Sequence, residues 1–397
     1  MSGVVDPRGA AGLILEMSWD GPDAGHRELM YAPADLWGDM LPPRLLDALK
    51  GQEDGRSVEL ELTPAESVPG RSPDLVRQVP LEQFAGGSFF PRLGRFYPRR
   101  LLSGVPGVSP GSNEPFRCLA AERHGLMADL NHPLAGYPLK LKVTVEQAEL
   151  PPEKITGQGV DWMARLCAGP GMQARAGGQA TDFLGGDALL REDEDPDAVF
   201  YEKPRLVGHL DSQASANVAQ LYGRLISPGS RVLDLMSSYQ SHLPPGLELA
   251  EVVGLGLNRE EMEANPRVGR AEVHDLNQDP RLPFEDESFD AVICTVSVEY
   301  LTQPQEVFGE AARVLRPGGV MAMTFSNRFF PPKAVRLWKE LHDFERLGLV
   351  LEYFIESGSM DELGTLSQRG WPRPADDRHY LEYLDSDPIF GAWGRRA

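Results

Sequence analysis

Cysteine is scarce. Cys118, Cys167 and Cys294 are the three present in 397 residues. Their number is odd and no pair is spaced C-x-x-C, so neither a disulfide framework nor a zinc site is expected. No metal is expected elsewhere. Positive charge is also short, with 39 Lys and Arg against 59 Asp and Glu and a formal net charge of −20. A field of that sign repels phosphate backbones and anionic lipid, so no nucleic acid and no membrane is expected as a partner. No apolar run approaches the roughly 18 residues of a membrane span. The start, MSGVVDPRGA, has no basic segment followed by an apolar one, so a cytoplasmic location is expected. A full G-x-G-x-x-G is missing too, which argues against a dinucleotide-dependent dehydrogenase.

Turn formers, by contrast, are plentiful, with 41 glycines and 34 prolines. The length exceeds an ordinary domain, and two domains with a small segment between them are expected. Residues 1–150 read as β-rich. SVELELTP and LKLKVTVEQAEL alternate apolar and polar residues, which sends one face to a core and one to water. PPRLLDALKG between them has helical spacing and stops at Gly51, a C-cap residue. Residues 151–200 are dense in Gly, Pro and acids and read as a linker or lid, with a short helix at VDWMARLCA. Residues 201–230 read as helical, up to the breaker SPGS. From 231 onward RVLDLM, EVVGLGL, AEVHDL, FDAVICTVSV, VMAMTFS and PIFGAWGRR read as strands, with REEMEAN and QEVFGEAARVLR as helices among them. Such alternation predicts a parallel, doubly wound sheet.

In that half, VLDL at 232–235, LPFEDESFDAVICTVSVEYL at 282–301 and ARVLRPGG at 312–319 follow one another in order. Together they resemble class I S-adenosylmethionine-dependent methyltransferases of the broad type-11 group, over about 201–397. The resemblance implies a Rossmann-like α/β fold, S-adenosylmethionine as cofactor and a site at the carboxyl ends of the strands. Asp234 matches the acid that ends the family's first strand, where it either serves the cofactor or ties down the next loop. The glycines that normally follow are replaced by Met236, Ser237 and Ser238. DLMSS and the preceding FYEKPRLVGHLD resemble a divergent branch of the group. Ser237 or Ser238 is expected to cap a short helix before Pro244-Pro245 and to offer hydroxyls to the cofactor carboxylate.

The family's ribose-binding acid falls here on Gly256, followed by Leu257 and Asn258. Asn258 can hydrogen-bond a hydroxyl, cap REEMEAN, or do both. Asp275 stands where the family holds the adenine amino group, with Leu276 as an adjoining apolar wall, and Ser297 to Tyr300 line the floor. His209, His242 and Tyr300 are the candidate bases, needed only for an acceptor that arrives protonated. Tyr201, Asn327 and Arg328 are expected toward the substrate. Arg328 pairs either with an acidic substrate or with one of the chain's own acids.

DLVRQVPLEQF and MADLNHPLAGYPLKLKVTV, at 74–84 and 127–145, resemble FKBP-type prolyl isomerases of the SlyD-like kind. That resemblance implies an N-terminal β-rich α+β domain with a flap near 70–128, and Asn131, His132, Pro133 and Gly136 as turn residues. Leu41 matches the pocket aliphatic, but Val68 and Leu141 stand where the pocket aromatics belong, and GHRELMYAP replaces the segment with the acid. Weak or absent isomerase activity is therefore expected, with the domain binding a partner or helping close the site. The expected function is methyl transfer to a small molecule with this domain as an accessory module. A silent protein-binding or chaperone-like module, and methylation of a protein substrate, are the alternatives.

Overall fold

A computed structural model describes residues 3–86, 90–150, 159–169 and 175–397. The chain forms two compact units, one of residues 1–23 and 32–186, the other of residues 24–31 and 187–397. The expected segment 151–200 is thus divided between them, and its residues 151–158 and 170–174 lie outside the described residues.

In the first unit, β1 (Ala10–Asp20) pairs antiparallel with β8 (Leu139–Gln147), which pairs antiparallel with β3 (Ser57–Leu62). Along β8, Leu139, Leu141, Val143 and Val145 are buried while Lys140 and Lys142 are exposed, the period-two pattern of a sheet with one wet face. Of β2 (Gly25–Asp35), only its end belongs to this unit. The helix α1 (Pro43–Leu49) begins on Pro42-Pro43, buries Leu45 and Leu49, and is followed by Gly51 at φ 74°. A second sheet, in the order β4 (Val76–Pro80), β7 (Gly125–Asp129), β6 (Pro115–Glu122), β5 (Phe96–Pro98), has its own core around Phe84, Tyr97 and Phe116. Asn131, His132, Pro133 and Gly136 form a turn, in which the Asn131 side chain holds both Ser72 N (2.8 Å) and Ser72 O (2.9 Å). The helix α2 (Trp162–Cys167) is capped by the Asp161 carboxylate.

The second unit opens with α3 (Asp197–Phe200) and α4 (Ser212–Leu225). The helical reading of 201–230 needs correction here. Residues 201–211 are not helical, because Pro204 cannot continue a helix and Asp211 starts a new one by accepting from Ala214 N at 2.9 Å. Next come β9 (Arg231–Leu235), β10 (Glu251–Gly256), α5 (Arg259–Ala264), β11 (Arg270–Val273), β12 (Phe289–Thr295), α6 (Pro304–Val314) and β13 (Leu315–Phe325). They are followed by α7 (Arg336–Glu340), α8 (Asp343–Ser357), β14 (Met360–Arg369) and β15 (Ile389–Arg396). The sheet runs β11-β10-β9-β12-β13-β15-β14, parallel from β11 to β13, with β15 antiparallel to both its neighbours. Residues 25–30 of β2 continue it, parallel to β14. Strand order reverses between β9 and β12, and such a switch point opens a crevice at the carboxyl ends of the strands.

Candidate active site

A cavity of about 780 Å³ occupies that crevice. Its wall comes from the residues that follow each of β9 to β13, together with the stretches 197–209 and 373–388. Every residue named above as a candidate for catalysis, cofactor or substrate lines it. Among the described residues, five non-glycine residues have positive φ, and Met236 (53°), His242 (52°) and Val296 (45°) are in this wall. A β-branched residue tolerates that conformation poorly, so local strain is concentrated at the site.

The loop after β9 differs from the expectation. Residues 236–250 contain no helix, and the two serines cap nothing. Ser237 Oγ donates to Asp234 Oδ2 at 2.7 Å, and Ser241 Oγ donates to the same oxygen at 2.6 Å. Ser238 Oγ donates to Glu261 Oε2 at 2.5 Å. Asn265 Nδ2 donates to Ser238 O and to Ser241 Oγ, each at 2.9 Å. The hydroxyls expected to reach a ligand carboxylate are thus spent inside the protein. They make a polar knot around Asp234, whose carboxyl burial pushes up to about 6 against the two serine donors.

This knot also explains the glycine at 256. Ser237 N donates to Leu255 O at 2.8 Å, laying the loop against the end of β10. A Cβ on Gly256 would come within 2.2 Å of Ser237 O. The place of the family's ribose acid is therefore filled by loop backbone. Asn258 does not replace it. Its Oδ1 caps α5 by accepting from Glu261 N at 3.1 Å, and its Nδ2 donates to Tyr201 O at 2.9 Å.

Asp275 is different. Its Oδ1 accepts from Asn277 N at 3.0 Å, but Oδ2 is buried without a partner in the cavity wall, beside the buried Leu276. An unpaired acceptor of this kind costs about 1–3 kcal/mol unless a ligand donor meets it.

On the opposite side, Phe330 stacks with Tyr300 (6.3 Å) and meets Phe200 (5.7 Å) and His209 (5.8 Å) edge-on. Tyr300 Oη accepts from Phe330 N at 2.8 Å. Burial and the neighbouring Glu299 raise the Tyr300 phenol, and burial and Asp197 raise that of Tyr201. Both phenols are therefore harder to ionise than an ordinary tyrosine. The imidazoles have the opposite character. Burial, with Arg205 and Arg328 among the nearby cations, lowers His209, and burial and His209 lower His242 to about 4. Both rings are neutral at pH 7, and neither makes a hydrogen bond among the described residues, so each keeps a nitrogen lone pair available. Ser297 Oγ donates to Thr295 O at 3.1 Å. Asn327 Nδ2 is held by Asp343 at 3.0 Å, and Arg328 lies 3.6 Å from Asp387.

Sequence reading missed several wall residues. Glu261, in the first turn of α5, accepts from Arg205 N at 2.6 Å as well as from Ser238; an acid one turn after a strand end was the available signal. Asn277 joins Asp197 Oδ2 (2.8 Å) to Tyr300 O (3.0 Å). The stretch 373–388 is fixed by Arg373, whose Nη2 donates to Asp387 Oδ1 at 2.6 Å and whose Nη1 donates to Asp377 at 2.9 Å. No local pattern announces that placement.

Sheet order, switch-point cavity and strand-end acids together define a Rossmann-like domain of the class I methyltransferase type. Residues 237–323 match the family described as a methyltransferase domain. The chain is 30% identical over 155 residues to the ubiquinone/menaquinone biosynthesis C-methyltransferase UbiE of Bartonella quintana, covering 38% of this chain and 52% of that protein. It is 36% identical over 87 residues to the UbiE of Roseobacter denitrificans, covering 19% and 34%. It is 31% identical over 136 residues to the methyltransferase GfsG of Streptomyces halstedii, covering 31% and 48%. The chain thus spans about a third to a half of the length of these curated relatives. It carries a class I methyltransferase domain whose methyl donor is S-adenosylmethionine. No described helix is long and apolar enough to cross a membrane.

Proposed function

We propose that the protein methylates a small-molecule acceptor, with Asp275 and Asp234 holding the two ends of the cofactor. The buried, unpartnered Oδ2 of Asp275 is the observation that carries this reading. An adenine amino group is a donor of the right kind, and Leu276 supplies an apolar wall beside it. Asp234, as a carboxylate, suits the ammonium of the amino-acid end. The cofactor supplies a methyl group already activated by a sulfonium, so the chain's work is to position, to exclude water and to accept a proton. His209 and His242 are neutral and face the cavity, and either ring nitrogen can take the proton of an acceptor O–H, N–H, S–H or acidic C–H. Tyr201, Tyr300 and Phe330 close that side with apolar surface, which keeps water from the reacting atoms.

Titration with S-adenosylhomocysteine tests the reading. Asp275→Ala is expected to weaken binding about tenfold, near the lower end of the cost of an unmet buried partner. The same titration has a pH arm. The carboxyl of Asp234 titrates at about 6, so below that pH the ligand ammonium loses its partner. Affinity should fall as pH drops through 6, by at most about tenfold per unit, and Asp234→Asn should flatten the profile. No calorimetric signal with the wild-type protein at millimolar ligand would sink the proposal.

The N-terminal unit is read as an FKBP-like accessory binding module. A separate sheet over 76–129 supports the expected flap, and the burial of Val68 and Leu141 in place of aromatics supports a degenerate pocket. Robust prolyl isomerisation by the full chain would refute the degenerate reading.

A further inference from the structure

In a chain of net charge −20, one part of the cavity wall holds three arginines whose positive charge is barely met by the protein. Arg205 Nη2 donates to Phe200 O at 3.1 Å, while its Nη1 is buried without a hydrogen-bond partner. Its guanidinium lies 4.6 Å from the Phe200 ring centroid and 5.2 Å from that of Phe330, contacts that orient it but leave its charge in place. Arg378 Nε donates to His379 Nε2 at 2.9 Å, and neither Arg205 nor Arg378 forms an ion pair with a carboxylate among the described residues. Arg328 has only Asp387, at 3.6 Å, and Asp387 is already committed to Arg373 at 2.6 Å. Glu261 is the nearby acid; its oxygens accept from the neutral donors Arg205 N and Ser238 Oγ and from no guanidinium among the described residues. Arg205 lies over the Phe330 ring, which meets the His209 ring at 5.8 Å, and Arg328 and Arg378 line the same cavity.

Their position separates two of them from the cofactor. The residues assigned to it follow β9, β10 and β11, whereas Arg328 follows β13 and Arg378 lies between β14 and β15; Arg205 stands between the two groups, over Phe330 after β13 and with its N bonded to Glu261 after β10. We propose that Arg205, Arg328 and Arg378 form a carboxylate-recognition site for the methyl acceptor, which therefore belongs to the class of small organic acids and binds with its acceptor atom next to His209. Arginine suits the role because its planar fork meets both oxygens of a carboxylate. This inference rests on the methyl-transfer reading.

The test uses the full chain saturated with S-adenosylhomocysteine and two probes of nearly equal shape, phenylacetate and phenylacetamide, titrated by calorimetry at low ionic strength. Wild type should bind phenylacetate at least tenfold more tightly than the amide. Arg328→Gln with Arg378→Gln should lose the discrimination while keeping S-adenosylhomocysteine affinity within about twofold, and Arg328→Lys with Arg378→Lys should keep part of it. Equal binding of the two probes, or binding of neither, overturns the proposal. A tenfold loss of S-adenosylhomocysteine affinity in the Gln variant with discrimination intact also overturns it, because the arginines would then serve the cofactor's own carboxylate. Failure of wild type to bind S-adenosylhomocysteine at all defeats the methyl-transfer reading, and this inference with it.

Discussion

Installing an aspartate at position 256, where the resemblance implies a ribose-binding acid, is expected to weaken cofactor binding severely instead of improving it. The new Cβ would sit 2.2 Å from Ser237 O and 3.3 Å from Met262 Sδ. Backbone cannot rotate away as a side chain can, so the loop must lift off β10. That movement breaks the Ser237 N to Leu255 O bond and carries the Ser237 hydroxyl away from Asp234. Overpacking costs about 1–3 kcal/mol, occasionally more, and the loss falls on a loop that forms the cavity wall. A fall in S-adenosylhomocysteine affinity of about 100-fold follows from the upper end of that range. Gly256→Ala should show most of the effect, because the obstruction is the Cβ and not the charge. Tighter binding by Gly256→Asp would mean that the loop is free to move and that the missing acid was the real deficit.

Asp197→Ala is expected to produce the largest loss of stability in the second unit. Asp197 is buried, accepts two bonds from Arg191 Nη1 at 2.7 and 2.8 Å, lies 3.2 Å from Lys333 Nζ, and accepts from Asn277 at 2.8 Å. Lys333 is fully buried. Removing the carboxylate leaves it with Asp193 at 3.2 Å and the carbonyls of Asp193 and Asp195, and leaves Arg191 with Glu194 at 3.6 Å. Breaking a buried pair in this way costs about 3–5 kcal/mol, because the partner charge stays behind without compensation. Urea unfolding followed by the near-ultraviolet signal should show the loss in one of two transitions, since the two units need not melt together. A change below about 1 kcal/mol would show that the remaining acids and carbonyls satisfy both cations.

Parts of this site were readable in the sequence for a physical reason. Asp234 stands near the end of the apolar run of β9, and a strand that ends at a switch point delivers its last side chains to the crevice whatever the loops do; Asp275 was legible only through the resemblance, since β11 is a short polar edge strand that ends two residues before it. The partners of those acids were not readable. That Ser237 and Ser241 would both turn back to Asp234 depends on backbone at φ 53° and 52° around them, which no propensity favours at Met236 or His242. The absence of an acid at Gly256 was visible, but its cause is a carbonyl from a different element. The helix α8 escaped notice because every residue from Glu345 to Phe354 is buried, which erases the 3.6-residue alternation that reveals a surface helix. The stretch 373–388 is tied to the rest of the unit through long-range ion pairs with Asp211 and Arg328 and hydrogen bonds from Ser386 and Asp387 N to Asp211, and pairing of that range leaves no local trace.

The early strand that borders β14 sets a timetable for the newborn chain. His26 Nδ1 hydrogen-bonds Thr365 Oγ1 at 2.7 Å, across a separation of 339 residues. At about 5–20 residues per second, a ribosome needs roughly 17 to 70 seconds between making the first of these residues and the second. For that interval, residues 25–30 have no β14 to pair with, while residues on either side of them are already free to fold. The polypeptide must keep a strand waiting, and the β14 side of the sheet is completed by a segment made some 339 residues before its partner.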